Sequence, residues 1–515
     1  MQSVQKAVVL LNESIGSISP YLHGQFAEHL GELVYPGVWV GEDSSIPNTD
    51  GIRNDVVDAL KPLALPILRW PGGCFADTYH WRDGVGPRES RPTRVNVHWG
   101  MAPEPNSFGT HEFARFCELI GTEPYFAANV GSGTVEELQH WVEYCNFAGN
   151  STLAQERRKN GRNDPFNIKY WGVGNENWGC GGCMNPEQYA DMYMRYRTYV
   201  YRYPGSDPFA IAAGPCHNDW SWTRRFLDRS SRFYGFSNRN HMVQGFAAHY
   251  YCGTAGKSAT EYTTDQWLEL LAKARGIEGL IVGHRSIMDE YDPQRNIKLI
   301  YDEWGAWHPV ESGKPMGGLF QQNTMRDALV AAITLDVFNN QADKVFMANI
   351  AQMVNVLQSL LLVKDDCCIK TPTYHIFDMY RPHKGANAVR FLTAGESLTD
   401  GGASAEFCKS LYVDKSRFTL KALEGSASVK DGILCVTACN THPTEAIDFE
   451  LETRGGKIAE ARVVTLAGKD MLALNTFDKP NAVKISKAAV VKGRGSLVRI
   501  EMPAGSVIRV MGKIT

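Results

Sequence analysis

"YWGVGNENWGCGG" runs from Tyr170 to Gly182. Its first residues form an apolar run of strand length. The run breaks at Gly174 and delivers an acid, Glu176, into a segment crowded with glycine and tryptophan. An apolar stretch bounded by turn residues reads as a buried strand. In barrels of parallel strands, functional groups collect at the C-terminal strand ends. The stretch therefore raises two questions: how many such strands the chain holds, and whether Glu176 has a partner.

Outward from this stretch, strand-like runs alternate with helix-like runs between about residues 18 and 382. Strands are expected at Leu22–Ala27, Pro66–Trp70, Tyr125–Val130, Ile168–Val173, Ala210–Gly214, Gly245–Tyr250, Ile297–Tyr301 and Val345–Ile350. Amphipathic stretches fill the gaps. One starts at Asn185, a good cap, with Pro186 at the first helical position and Gln188 placed to complete a capping box. Another, "TMRDALVAAITLDVFNNQ", puts Leu329, Ile333 and Val337 on one helical face. Alternating strands and helices imply a parallel sheet, and eight such strands predict a closed (β/α)8 barrel of the TIM type. An open doubly wound sheet is the structural rival, but the chain has no GxGxxG or Walker-type loop to favour it.

After about residue 385 the pattern changes. "AIDFELET" alternates Ile447, Phe449 and Leu451 with Asp448, Glu450 and Glu452, and "LVRIEM" alternates in the same way. Short runs with one apolar face, separated by turn residues, predict an antiparallel, jelly-roll-like β-sandwich that also takes in an N-terminal strand. The expected division is a barrel over 18–382 and a sandwich of 1–17 plus 383–515.

Bulk properties limit the partners. The 515 residues carry a formal net charge of −3, which points to neither nucleic acid nor an anionic membrane surface. No apolar run approaches the roughly 18 residues of a membrane span. The N-terminal run Ala7–Leu11 reads as a strand and not as a signal peptide. Twelve cysteines in a chain this long form no dense disulfide framework, and Cys117, Cys145 and Cys435 sit in apolar patterns as reduced core residues. These features favour the cytoplasm.

The barrel rule directs the search for a second acid. "NIKLIYDEWGAWH" supplies Glu303 just past the seventh strand, again followed by Trp and Gly. A lone acid at a strand end is most often a cap or a loop ion pair. Two in Gly/Trp-rich loops on one barrel mouth match the needs of glycoside hydrolysis, where one carboxyl donates a proton and the other attacks or activates water. Other strand ends add Glu28, Arg69, Cys74, His249, Tyr251, Asn349 and Gln352. Each alone is a weak signal, and a single strand-end His is more often a hydrogen-bonded structural residue. As a ring around two acids they suit a small polyhydroxylated ligand.

The motifs "RWPGGCFAD", "GVGNENWGCGG", "YDEWG" and "NIAQMVNVLQ" together make the chain resemble the α-L-arabinofuranosidases of glycoside hydrolase family 51, over essentially its whole length. The resemblance implies Glu176 as general acid/base and Glu303 as nucleophile of a retaining, exo-acting enzyme. It also implies Asn175 at the sugar 2-hydroxyl, and Glu28, Arg69, Cys74, His249, Tyr251 and Gln352 as groups that bind the furanose or orient the carboxylates. No metal or organic cofactor is called for. Arabinose-containing oligosaccharides are the implied substrates, and a homo-oligomer, often a hexamer, the implied assembly. One departure concerns Cys74, where many members carry Asn; a thiol is the poorer hydrogen-bond partner. The alternatives are a related retaining enzyme, such as an endo-β-1,4-glucanase or β-xylosidase, and a non-catalytic carbohydrate-binding protein.

Three further signals carry bland readings. Cys180 and Cys183 have C-x-x-C spacing, but no second pair follows at zinc-finger spacing, so the segment is expected to shape the loop. Cys367 and Cys368 read as a loop feature, and the charge cluster Glu156–Asp164 as a solvated loop between helix and strand. Trp99, in the long connection after the second strand, is a candidate platform on the aglycone side.

Overall fold

A computed structural model describes residues 3–231, 242–399 and 419–515. Eight parallel strands close into a barrel. In chain order they are Gly24–Phe26, Ile67–Trp70, Glu123–Ala128, Tyr170–Val173, Phe209–Cys216, Gly245–Gly253, Lys298–Ala306 and Val345–Ala351. The eighth closes on the first through Asn349 opposite Gly24 and Ala351 opposite Phe26. Every expected strand is present. The first is shorter than its apolar pattern because Ser19 caps a helical turn over Pro20–His23 and takes those residues out of the sheet.

The barrel is filled, not hollow. Ile67, Tyr125, Tyr170, Ile211, Ala247, Ile300 and Met347, one from each of the second to eighth strands, pack together inside it with Tyr21 beside them. Side chains that plug the interior leave the strand ends as the place for a ligand.

Two helices show how sequence sets the frame. In Pro186–Thr198 the expected capping box forms: Gln188 N–H donates to Asn185 Oδ1 and Asn185 N–H to Gln188 Oε1, both at 3.0 Å. Such a cap is worth about 1 kcal/mol. Helix Met325–Asn340 differs from expectation, being buried on every side except at Asn340 rather than along one face. It lies between the barrel and the C-terminal sheet. Asp336 accepts from Ser426 Oγ and Thr437 Oγ1, both at 2.6 Å, and Asn339 Nδ2 donates to Ser426 Oγ at 3.0 Å.

Nine further strands form one sheet in the order Ala489–Lys492, Ile458–Leu466, Ser506–Ile514, Ile433–Asn440, Leu423–Lys430, Asn387–Thr393, Ser3–Ser17, Ile447–Arg454 and Leu497–Met502. The N-terminal strand is indeed part of it. Pairing is antiparallel except that Ser3–Ser17 runs parallel to Ile447–Arg454. The two edge strands approach each other, so the sheet curls over a single core that includes Val9, Phe449, Leu451, Val463, Ile500 and Val510.

Two local expectations are corrected. Glu156–Asp164 is a solvated loop only from residue 160 onward: Thr152–Lys159 is helical, and Arg157 is fully buried, donating from Nη1 to the carbonyls of Tyr144 and Phe147. Cys367 and Cys368 lie in a strand, Cys367–Lys370, paired with Leu361–Lys364. Among the described residues no helix is long and apolar enough to cross a membrane.

Candidate active site

The fourth strand stops at Gly174, whose φ of 96° turns the chain out of the sheet. A side chain there would also collide with Asn177 Oδ1. Glu176 follows in a left-handed conformation, φ 42°. Its carbonyl accepts from Gly179 N–H at 2.7 Å and Gly181 N–H at 3.2 Å, closing a tight loop. Gly181 is obligatory, since a Cβ there would lie 2.0 Å from the Asn175 carbonyl oxygen. The glycines of the opening stretch thus fold a loop that aims the Glu176 carboxylate into the barrel mouth.

Glu303 arrives by a different device. Where the sixth and seventh strands pair, Ala248 faces Tyr301 and His249 faces Glu303. Asp302 is the extra residue of a β-bulge. The bulge cancels the usual alternation, and both adjacent acids are buried and reach Arg69. Arg69 Nη1 donates to Glu303 Oε1 at 2.8 Å, while its Nε lies 3.6 Å from Asp302 Oδ2. Tyr125 OH donates to Asp302 Oδ2 at 2.6 Å, and Asn349 Nδ2 to Asp302 Oδ1 at 3.2 Å. Arg69 Nη2 donates to Asn175 Oδ1 at 2.6 Å, tying the nucleophile candidate to the residue before Glu176.

His249 sits between the two acids. Its Nδ1 is 2.9 Å from Glu176 Oε1 and 3.6 Å from Glu303 Oε2. Tyr251 OH donates to Glu303 Oε2 at 2.8 Å. Glu28 forms the opposite wall: its Oε1 accepts from Phe75 N–H and Trp99 Nε1, each at 2.9 Å, and its Oε2 from Gln352 Nε2 at 3.3 Å. Gly73 lets these walls meet, since a Cβ would stand 3.1 Å from Glu303 Oε1 and 3.2 Å from Glu28 Oε2. The candidates Glu28, Arg69, Asn175, Glu176, His249, Tyr251, Glu303 and Gln352 therefore line one mouth.

The electrostatics divide the carboxyls. Burial works against a charged Glu303, but His249, Arg69 and the Tyr251 hydroxyl outweigh it and hold the pKa below the usual carboxylate range. His249 is the reciprocal case: burial lowers its pKa, and Glu303 and Glu176 more than offset that, so the imidazolium is favoured. Glu28 is pushed up to about 7 by burial and by Glu303. Burial likewise raises Asp302, with Arg69 opposing. The nucleophile candidate is thus held ionised, while Glu28 and Asp302 take up protons more readily.

Cys74 departs from its expected role. It is disulfide-bonded to Cys180, 106 residues away, so it offers the sugar no thiol. The same bond removes Cys180 from any pairing with Cys183, which is free and exposed. Trp99 is anchored on Glu28, and a cavity of about 240 Å³ lined by His29, Glu32, Tyr35, Trp99, Glu104 and Lys314 opens beside it. Neither Glu176 nor Glu303 lines that cavity. Sequence reasoning missed Asp302, because strand alternation assigns it the face opposite Glu303. It missed Tyr125 because a mid-strand tyrosine reads as core.

Two family models match the chain. The α-L-arabinofuranosidase 1 domain covers residues 59–247, and the α-L-arabinofuranosidase C-terminal domain covers residues 302–506. The intracellular exo-α-L-arabinofuranosidase of Bacteroides ovatus is 44% identical over 492 residues, spanning 95% of this chain and 91% of the relative. The chain belongs to the α-L-arabinofuranosidases of glycoside hydrolase family 51. Solved members of the family have the same architecture. The arabinofuranosidase of Xanthomonas axonopodis pv. citri superposes with a TM-score of 0.91 at 39% identity, over 99% of this chain and 100% of the other. An arabinose complex of the Thermotoga maritima enzyme superposes with a TM-score of 0.83 at 29% identity, with the same coverage. As an arabinofuranosidase, the chain is a glycoside hydrolase and not a silent sugar-binding module.

Proposed function

We propose that the chain removes terminal α-L-arabinofuranosyl residues from arabinoxylan- or arabinan-derived oligosaccharides, with retention of configuration. One observation carries this reading. Glu176 and Glu303 flank His249 with their nearest oxygens within 4.8 Å. That spacing fits the roughly 5–5.5 Å separation of retaining enzymes and leaves no room for the extra water of the roughly 6.5–9.5 Å inverting sites. Glu303, held ionised by His249 and Arg69, attacks the anomeric carbon while Glu176 protonates the leaving oxygen. Glu176 then takes a proton from water, which cleaves the glycosyl-enzyme. Asn175, Glu28, Tyr251 and Gln352 bind the furanose hydroxyls, and Arg69 orients Glu303 and Asn175 together.

The Bacteroides ovatus relative is named as intracellular and exo-acting. By that likeness we assign exo action and a cytoplasmic site to this chain, where imported oligosaccharides are the available substrates. The same reading assigns 18–382 to catalysis and 1–17 with 383–515 to the β-domain. It also extends to a homo-oligomer, with a hexamer as the form to look for by light scattering.

The test is hydrolysis of p-nitrophenyl α-L-arabinofuranoside by wild type, Glu176→Ala and Glu303→Ala, with and without azide. Glu303→Ala should be inactive. Azide should rescue Glu176→Ala and give a glycosyl azide of retained configuration. An inverted azide product from Glu176→Ala, or a retained one from Glu303→Ala, would exchange the roles. Activity on aryl β-xylosides in place of arabinofuranosides would overturn the substrate.

A further inference from the structure

The pair Cys74 and Cys180 has no part in the reaction above, yet it lies in the middle of the site. It joins the loop after the second strand to the loop after the fourth, with Cα atoms 5.5 Å apart. Cys180 Sγ is 3.7 Å from Glu176 Oε2 and 3.8 Å from Asn175 Nδ2. One donor atom from each of Cys74, Glu176 and Cys180 falls within 4.8 Å of the other two. All three residues are partly exposed, so solutes small enough to enter the mouth reach them.

Joined as a disulfide, the sulfurs are poor ligands. As thiolates they are strong ligands for zinc and its heavier congeners, and a carboxylate completes a set typical of such sites. Two sulfurs bound to one zinc at about 2.3 Å each sit roughly 3.8 Å apart. Side-chain rotation over the existing Cα spacing reaches that separation. Water or substrate oxygen takes the fourth position. His249 already holds the other oxygen of Glu176 and fixes the carboxylate in place.

We propose that the reduced Cys74 and Cys180 thiols form, with Glu176, a site for a thiophilic divalent cation such as zinc, and that metal bound there silences the enzyme by occupying Glu176. The preceding step is ordinary thiol–disulfide exchange. A dithiol reductant attacks one sulfur, its second thiol resolves the mixed disulfide, and two electrons and two protons pass to the cysteines while the reductant becomes a disulfide. Zinc then displaces both thiol protons. A metal-bound Glu176 cannot deliver a proton to the leaving oxygen. The disulfide form is protected because it offers no thiolate. In a reducing compartment such as the cytoplasm, the thiol form prevails and the site is open.

The test uses the full-length protein, oxidised or reduced with a dithiol that is then removed without air. Zinc content and thiolate-to-cadmium charge-transfer absorption are read with no substrate present, so they stand apart from the glycosidase assignment. The reduced wild type should take up one more metal ion per chain than the oxidised form, with the absorption band. Its activity should fall at least ten-fold and return with EDTA. The C74S/C180S double variant should lose the extra ion and the band, and Glu176→Gln should bind it at least ten-fold more weakly. C367S/C368S, on the hairpin of Leu361–Lys364 and Cys367–Lys370, should keep it. Equal uptake by oxidised and reduced wild type overturns the site. So does an extra ion that survives in C74S/C180S.

Discussion

The guanidinium of Arg69 donates to Glu303 Oε1 at 2.8 Å, with both side chains buried. The same planar fork donates to Asn175 at 2.6 Å, so one residue registers two loops of the barrel mouth. A lysine keeps the charge but not the fork. Arg69→Lys should therefore lose about 10²- to 10³-fold in kcat/KM, the range found when a preorganised donor is removed. Steady-state kinetics on p-nitrophenyl α-L-arabinofuranoside decide it. A loss of under three-fold would show that charge alone suffices.

His249 is expected to set the acid limb of the pH profile. Burial raises the Glu303 pKa, and His249 is the first of the groups that bring it back below the ordinary value. In His249→Gln that opposing charge is gone, so Glu303 should protonate at higher pH. Because kcat/KM reports groups of the free enzyme, its acid limb should move to higher pH. An acid limb unmoved in the variant would remove His249 from this role.

Asp302 is a positioning residue held by Tyr125 and Asn349 against the Nε edge of Arg69. Asp302→Ala leaves the Tyr125 hydroxyl and Arg69 Nε without that partner, so the fork loosens around Glu303. We expect kcat to fall about 10- to 100-fold, as for a misplacement near 1 Å, with KM within a few-fold of wild type. Asp302→Asn, which still accepts from Tyr125, should lose less. A change confined to KM, or equal losses in the two variants, would show that Asp302 does not act through Arg69.

The contrast between Glu303 and Asp302 explains what the sequence discloses. Strand ends, glycine breaks and apolar runs are local, so the eight strands and the two acids were legible, although Glu303 lies inside the seventh strand, Lys298–Ala306, and not past its end. The bulge that turns Asp302 inward depends on pairing between two strands and has no local signature. The Cys74–Cys180 bond spans 106 residues, and no local spacing signals it. Helix Met325–Asn340 reads as one-sided because its polar residues look solvent-facing. In the fold, Asp336 and Asn339 meet the hydroxyls of the C-terminal sheet instead.

That contact predicts a pH dependence of stability. Asp336 is enclosed by Ser426, Thr437 and Tyr380, the last donating at 2.9 Å, and burial pushes its pKa up to about 7 despite these donors. Unfolded, it titrates near the ordinary value of about 3.9. Between those values the native state binds the extra proton, so this group's contribution to stability falls as pH rises. The slope is on the order of 1.4 kcal/mol per pH unit, and the cost is complete above about pH 7. Glu28 and Asp77, also raised to about 7, act in the same direction but are common to wild type and an Asp336 variant. Asp336→Asn cannot ionise. It should therefore lose less stability than wild type between pH 5 and pH 8, measured as the shift in urea unfolding midpoint. Parallel losses in the two proteins would mean that Asp336 is already ionised in the folded state across this range, so that its pKa is not raised.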